Sequence, residues 1–67
     1  MLVKFSKHAE EKMIDRGISI NEVEKAIDCG SKFTQQPDKF VAEYGYFSVV
    51  YKMVGQTCFV ITVQPRT

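Results

Sequence analysis

The sequence predicts an α+β fold, with two N-terminal helices packed as a helical hairpin on one face of a four-stranded antiparallel β-meander. Apolar residues recur at helical spacing only between residues 5 and 27, whereas strand-like segments rich in Val, Tyr, Phe and Thr follow from residue 31. The turns between those segments are too short for the crossovers that parallel strands need. We expect one domain that spans residues 1–67.

The first helix is predicted to end at about Arg16, after a short extended lead-in at residues 2–5. Ser6 is a typical N-cap, because its hydroxyl can accept a hydrogen bond from a free backbone N–H of the first turn. Gly17 suits the left-handed position that follows a helix, and Ile18 can then pack back on Met13.

The second helix is predicted to begin at Ser19 and to end at Gly30. Ser19 and Glu22 have the spacing of a capping box, and Ile18 and Val23 have the spacing of a hydrophobic staple. Two helices joined by so short a turn form a hairpin or corner.

Four strands are predicted at residues 31–36, 39–44, 46–53 and 57–63, and Pro65 predicts that residues 64–67 form a frayed tail. Alternation divides the last two strands into two faces. We expect the bulkier sets to contact the helices, namely Phe47, Val49, Tyr51 and Met53 with Phe59, Ile61 and Val63. The other face is then expected to carry Tyr46, Ser48, Val50, Lys52, Cys58, Val60 and Thr62.

Composition excludes several classes of protein. The chain has 45% apolar and 25% charged residues and a net charge of +1, which is ordinary for a globular domain and less basic than a DNA-coating protein. No apolar run approaches a membrane span and no signal peptide is visible, so we expect a cytoplasmic protein without membrane contact. Two cysteines and a single histidine favour structural cysteines and no metal or other cofactor.

The candidate chemistry begins with a row on the first helix. His8, Lys12 and Arg16 are spaced by four residues and therefore share one edge of that helix. An imidazole can act as a general acid or base, and two neighbouring cations can stabilise a phosphorane. A sheet face with hydroxyls and Lys52 can hold a phosphodiester backbone, which together suggests metal-free RNA cleavage. The alternative is that His8 packs at the helix start while Lys12 and Arg16 form ordinary surface ion pairs.

The residues from His8 to Ile18 resemble the opening motif His-Ala-x-x-Arg-Met-x-x-Arg-Gly-Ile of a small prokaryotic family labelled domain of unknown function 4258. Strands like Val49-Val50-Tyr51 and Val60 to Val63 extend the resemblance over nearly the whole chain. The family is similar to RelE-type ribosome-dependent ribonucleases and barnase-like enzymes. The resemblance implies a site from His8, Arg16 and the Thr62 hydroxyl. Lys12 stands where the family usually has arginine, so a bidentate phosphate contact is lost.

The first hypothesis is a toxin-like, metal-independent ribonuclease of the mRNA interferase type. Its catalytic residues would be His8, Lys12, Arg16 and Thr62, its substrate-binding residues Tyr46, Ser48, Lys52 and Arg66, and its partners RNA or the ribosome and an antitoxin-like protein. The second hypothesis is a non-catalytic protein-binding module or inhibitor, carried by a mobile element, that acts through the open sheet face or the edge strand. A homodimer that uses the sheet face as its interface is a third.

Overall fold

A computed structural model describes residues 2–66, apart from the side chain of Gln36, as two helices on one face of a five-stranded sheet. Across the sheet the strands follow the order β1-β5-β4-β3-β2. Within the described residues no helix is long and apolar enough to cross a membrane. The elements in chain order are β1 (Leu2–Phe5), α1 (Lys7–Arg16), α2 (Ile20–Cys29), β2 (Ser31–Gln36), β3 (Lys39–Tyr44), β4 (Phe47–Val54) and β5 (Thr57–Pro65).

The predicted four-stranded antiparallel meander is wrong, because the sheet is mixed and has a fifth strand that precedes the helices. The segment expected to be a lead-in is β1, which pairs in parallel with β5 from Leu2 opposite Thr57 to Phe5 opposite Val60. Strands β2 to β5 are antiparallel neighbours. The prediction considered only strands that are joined by short turns. It missed β1 because the partner of β1 lies at the far end of the chain, with both helices and three strands in between.

The predicted helix boundaries are confirmed. The Ser6 hydroxyl accepts from the Ala9 N–H at 3.0 Å, and Gly17 is left-handed with φ of 65°. The Ile18 N–H then donates to the Met13 carbonyl at 2.9 Å, which closes the C-terminal motif. At the start of α2, Ser19 and Glu22 exchange both hydrogen bonds of the capping box, at 2.9 and 3.2 Å.

A β-bulge at Ile61 overturns the predicted faces of β5. Val50 pairs with Thr62 and Tyr51 pairs with Val60, so Ile61 has no partner on β4. The extra residue reverses the alternation, and Val60 and Val63 therefore both contact the helices. Phe59 and Ile61, expected to face the helices, do not belong to the buried core.

The core lies between the helices and one face of the sheet. Helix α1 packs mainly on β5, and α2 packs on β3 and β4. The opposite face, called the open face below, carries no helix among the described residues. Pro65 does not begin a frayed tail, since β5 pairs with β4 as far as Pro65 opposite Phe47. Thr67, the last residue of that predicted tail, lies outside the described residues. The buried cluster consists of Ala9, Met13, Ile18, Val23, Ala26, Ile27, Ala42, Phe47, Val49, Tyr51, Cys58, Val60 and Val63.

Candidate functional site

The predicted basic row lies along one edge of α1. His8 and Arg16 are exposed and Lys12 is half-buried. Their helical spacing puts the Cα atoms of His8 and Arg16 about 12 Å apart along the helix axis, so the row lines an edge and does not surround one point. Among the described residues none of the three side chains forms a hydrogen bond or an ion pair. The alternative pairing of Lys12 and Arg16 with acidic neighbours is therefore not formed there.

Ser6 fixes the start of α1 against β5. Besides capping the helix, its hydroxyl donates to the Ile61 carbonyl at 2.7 Å, and its backbone N–H donates to the Val60 carbonyl at 3.0 Å. These bonds join the first turn of α1 to the bulge in β5, where β1 has just ended. His8 is exposed two residues beyond this junction, whereas Lys12 and Arg16 lie progressively further along α1.

Thr62, Ser48 and Lys52 lie on the open face, away from the helix row. Thr62 pairs with Val50, and both of Val50's neighbours on β4 belong to the core cluster. Alternation along β4 therefore places Ser48 and Lys52 with Val50 on the open face. The sheet consequently separates the Thr62 side chain from the α1 row.

Several basic side chains lie on the open face. Lys4 pairs with Phe59 across β1 and β5, and the Nζ atom of Lys52 lies 6.0 Å from the centre of the Phe59 ring. Lys39 alternates with Phe40, which packs on the core, and therefore points to the open face. With Arg66 these make four cations on the face, and sequence reasoning had identified only Lys52 and Arg66 among them.

Glu43 is the acidic residue of the open-face strands, and it is already paired. Its Oε1 atom lies 3.6 Å from an Arg66 Nη atom, while the other Arg66 Nη donates to the Gly45 carbonyl at 3.1 Å. Arg66 is thereby held at the turn between β3 and β4. Tyr46 lies in this same turn, 58% exposed, with its ring edge-on to Phe47 at 5.4 Å.

The structure thus brings the predicted residues together as two groups. The open face and its adjoining turn hold Thr62, Ser48, Lys52, Arg66 and Tyr46, and the α1 edge holds the other three. None of these eight side chains lines the cavity at the α1–α2 corner or the cavity between α2 and the sheet. Lys4 was missed because its segment was not recognised as a strand, whereas alternation with Val41 and Glu43 could have assigned Lys39 to the open face.

Two ionisable groups are perturbed, and both lie in the core. Burial raises the pKa of the Cys58 thiol from 9.0 to about 11, and burial also raises the pKa of Tyr51. Both groups are therefore neutral at pH 7 and face the helices, not the open face. Within the described part of the chain no three His, Cys, Asp or Glu side chains are close enough to hold a metal ion.

Comparison with known proteins establishes the family. Residues 5–64 match the family model described as a domain of unknown function, DUF4258. The chain belongs to the DUF4258 family. The resemblance seen in the His8 to Ile18 motif is confirmed. No curated protein matches the sequence significantly.

The fold of this DUF4258 protein is similar to that of a chain in the crystal structure of the toxin–antitoxin complex RelBE2 from Mycobacterium tuberculosis. The TM-score is 0.71 at 19% identity, and the match covers 97% of this chain and 96% of the other. The predicted kinship with toxin-type folds is therefore confirmed at the level of the fold.

Proposed function

We propose that this DUF4258 protein is a toxin-like domain that binds RNA on the open face of its sheet and cleaves it without a metal ion. The observation that carries the binding step is the charge of that face. Lys4, Lys39 and Lys52 lie on strands whose described residues include one acidic residue, Glu43, and Arg66 already pairs with that carboxylate. A face with this excess of cations attracts a phosphate backbone although the whole chain has a net charge of only +1.

Aromatic side chains add a means of holding unpaired bases. Phe33 is 48% exposed, and its partner in the β2–β3 ladder is Val41 on the open face. Phe59 is half-buried beneath Lys52, and Tyr46 is exposed at the end of the face. Aromatic rings interleaved with cations are typical of surfaces that bind single-stranded nucleic acid. Thr62 is half-buried between them and supplies a hydroxyl, whereas Ser48 is only 4% exposed and is not accessible to a ligand.

The proposed chemistry uses the α1 edge. His8 accepts the proton of the RNA 2′-OH, whose oxygen attacks the adjacent phosphate. The protonated imidazole then returns that proton to the departing 5′-oxygen, which leaves a 2′,3′-cyclic phosphate and a free 5′-hydroxyl. Lys12 and Arg16 stabilise the charge of the phosphorane. Thr62 and His8 lie on opposite sides of the sheet. An RNA strand that contacts both must therefore cross β5 beyond the end of β1, at the Ser6–Ile61 junction.

The proposal includes a protein partner and a site of action. The RelBE2 chain with the similar fold belongs to a toxin–antitoxin complex, which supports an antitoxin-like partner for this chain. We place the protein in the cytoplasm, where mRNA on the ribosome is its substrate.

Binding is tested with a fluorescently labelled single-stranded RNA and charge-reversal variants. Lys39→Glu and Lys52→Glu should each weaken binding several-fold and lower the dependence of affinity on salt. Lys25→Glu on exposed α2 is the matched control, because it changes the net charge equally away from the open face. Equal losses in all three variants would mean that only the net charge matters, and the open face would lose its role.

Cleavage is tested separately, with EDTA present and with or without ribosomes. Wild-type protein should cut RNA, and His8→Ala should abolish cutting while leaving RNA binding within about twofold, since the proposed acid/base role contributes a factor of about 10² to 10⁴. If no cleavage occurs under either condition, or if His8→Ala cuts normally, the catalytic part of the proposal fails and the binding part stands on its own test.

A non-catalytic binding module is the second candidate, and the exposure of β2 favours it. This strand lies at one edge of the sheet, and the side chains described on it are exposed. An open edge can accept a strand from a partner protein or a second copy. On this hypothesis His8→Ala is silent, whereas a charge at Thr34 or Tyr46 weakens association. Solution mass measured across dilutions separates a homodimer from a complex with another protein.

A further inference from the structure

An apolar groove lies at the corner between α1 and α2. It has a volume of about 640 Å³ and extends from Phe5, beside the start of α1, to Ile20 at the start of α2. Ile14 and Ile20, which line it, are 80% and 55% exposed. Both belong to helices whose other exposed side chains are polar apart from Cys29, so the groove is the apolar part of an otherwise polar helix surface.

The α1 side of the groove presents rows of side chains on which another helix can pack. From α1 and its C-terminal glycine it is lined by Glu10, Met13, Ile14 and Gly17, which recur at intervals of three and four residues. Side chains in such rows form the ridges and grooves into which a second helix packs. A Cβ atom placed on Gly17 would meet nothing within 4 Å, so the space above this residue is free for a partner's side chain.

The charge around the groove is negative. Glu10 is the charged residue among those that line it, and it has no ion-pair partner in the described part of the chain. Glu11 lies three positions before Ile14, Glu24 lies one turn after Ile20, and both are exposed. Lys7, three positions before Glu10, is the exposed cation at the same spacing, so three carboxylates stand against one ammonium group. The groove and its acidic rim therefore complement a segment that is apolar on one face and basic beside it.

We propose that this groove is the docking site for a basic amphipathic helix of a partner protein. The partner's apolar side chains cover Ile14 and Ile20, and its lysine or arginine residues lie beside Glu10 and Glu24. The site is on the helix side of the sheet, so it is separate from the open face and its proposed RNA. Its occupancy does not depend on whether the protein cleaves RNA.

The test uses two synthetic helical peptides with the same leucine face, one flanked by lysines and the other by glutamates. Each is titrated into the isotopically labelled full chain while the backbone amides are followed by NMR. The lysine peptide should shift the amides of Ile14, Gly17 and Ile20 and should bind at least tenfold more tightly than the glutamate peptide.

Variants then locate the interaction. Ile14→Glu and Ile20→Glu should each weaken the lysine peptide about tenfold or more, because each removes a buried apolar contact. Val54→Glu is the matched control, since Val54 is 57% exposed at the end of β4, outside the groove. Glu10→Lys, an exposed change that leaves the core intact, should reduce the preference for the lysine peptide, because Glu11 and Glu24 remain on the rim.

Three results would overturn the proposal. The first is equal affinity for the two peptides, or no binding of either. The second is a set of shifted amides on the open face or on β2. The third is a concentration-dependent dimer of the free chain that Ile14→Glu dissociates, which would assign the groove to a second copy.

Discussion

Replacing Ser6 with alanine removes two hydrogen bonds at the junction that positions α1. The first is the helix cap, in which the hydroxyl accepts from the Ala9 N–H, and its loss costs about 1 kcal/mol. The second is the partly buried bond to the Ile61 carbonyl at 2.7 Å, worth about another 1 kcal/mol. We therefore expect Ser6→Ala to lower the free energy of unfolding by about 2 kcal/mol.

That loss is large for a chain of 67 residues, whose total stability is about 3 to 10 kcal/mol. It corresponds to a fall in Tm of about 8 to 16 °C, measured by circular dichroism, with urea unfolding as the second assay.

Two control variants separate the cap from the bond to β5. Ser19→Ala removes the exposed cap of α2 and should cost only about 1 kcal/mol, because Ser19 has no comparable bond to the sheet. Ser6→Asp keeps a good cap but replaces a donor with a carboxylate facing the Ile61 carbonyl, and should still be destabilised. If Ser6→Ala costs no more than Ser19→Ala, or if Ser6→Asp is as stable as wild type, the junction does not hold α1 in the way described.

Three further predictions concern packing and ionisation. Gly30→Ala should lower the free energy of unfolding by about 3 kcal/mol, because the new Cβ would lie 2.6 Å from the Glu43 carbonyl oxygen and α2 would have to move away from β3. Gly55→Ala should lower it by about 1 to 2 kcal/mol, because Gly55 has a φ of +63°. The urea midpoints of the two variants check this order. Burial raises the pKa of the Cys58 thiol from 9.0 to about 11, so this thiol loses its proton at lower pH in the unfolded chain than in the folded protein. Stability that is present below pH 9 should therefore be lost as the pH rises toward 11. Thermal melts across that range test this dependence, and the decline should be smaller in Cys58→Ala. In native protein a thiol reagent should modify exposed Cys29 rapidly and Cys58 only after unfolding, so equal rates would contradict the burial of Cys58.

The helical corner could be predicted in detail from the sequence. Each signal that defines it, from the Ser6 cap to the Ser19–Glu22 capping box, joins residues no more than five positions apart. Local hydrogen bonds of this kind form with little dependence on the rest of the chain, so residue type and spacing were sufficient.

The candidate site was predictable only in part. Helical spacing placed His8, Lys12 and Arg16 on one edge, and alternation along β4 placed Ser48 and Lys52 on one face. The sequence did not predict that the two groups lie on opposite sides of the sheet. Their placement depends on which face of β5 the helices cover. The groove at Ile14 was likewise missed, since an isolated apolar residue on a helix has no distinctive spacing.

The sequence by itself determined the two helices, their caps and four of the five strands, because those features follow from interactions between near neighbours. Only the tertiary structure decided that β1 joins the sheet beside β5 and that Ile61 forms a bulge there. Ser6 bonds to Ile61 across 55 positions of sequence, a contact that no local pattern encodes. A single unpaired residue then reverses the alternation of β5, and that reversal turns Phe59 outward and sets the composition of the open face.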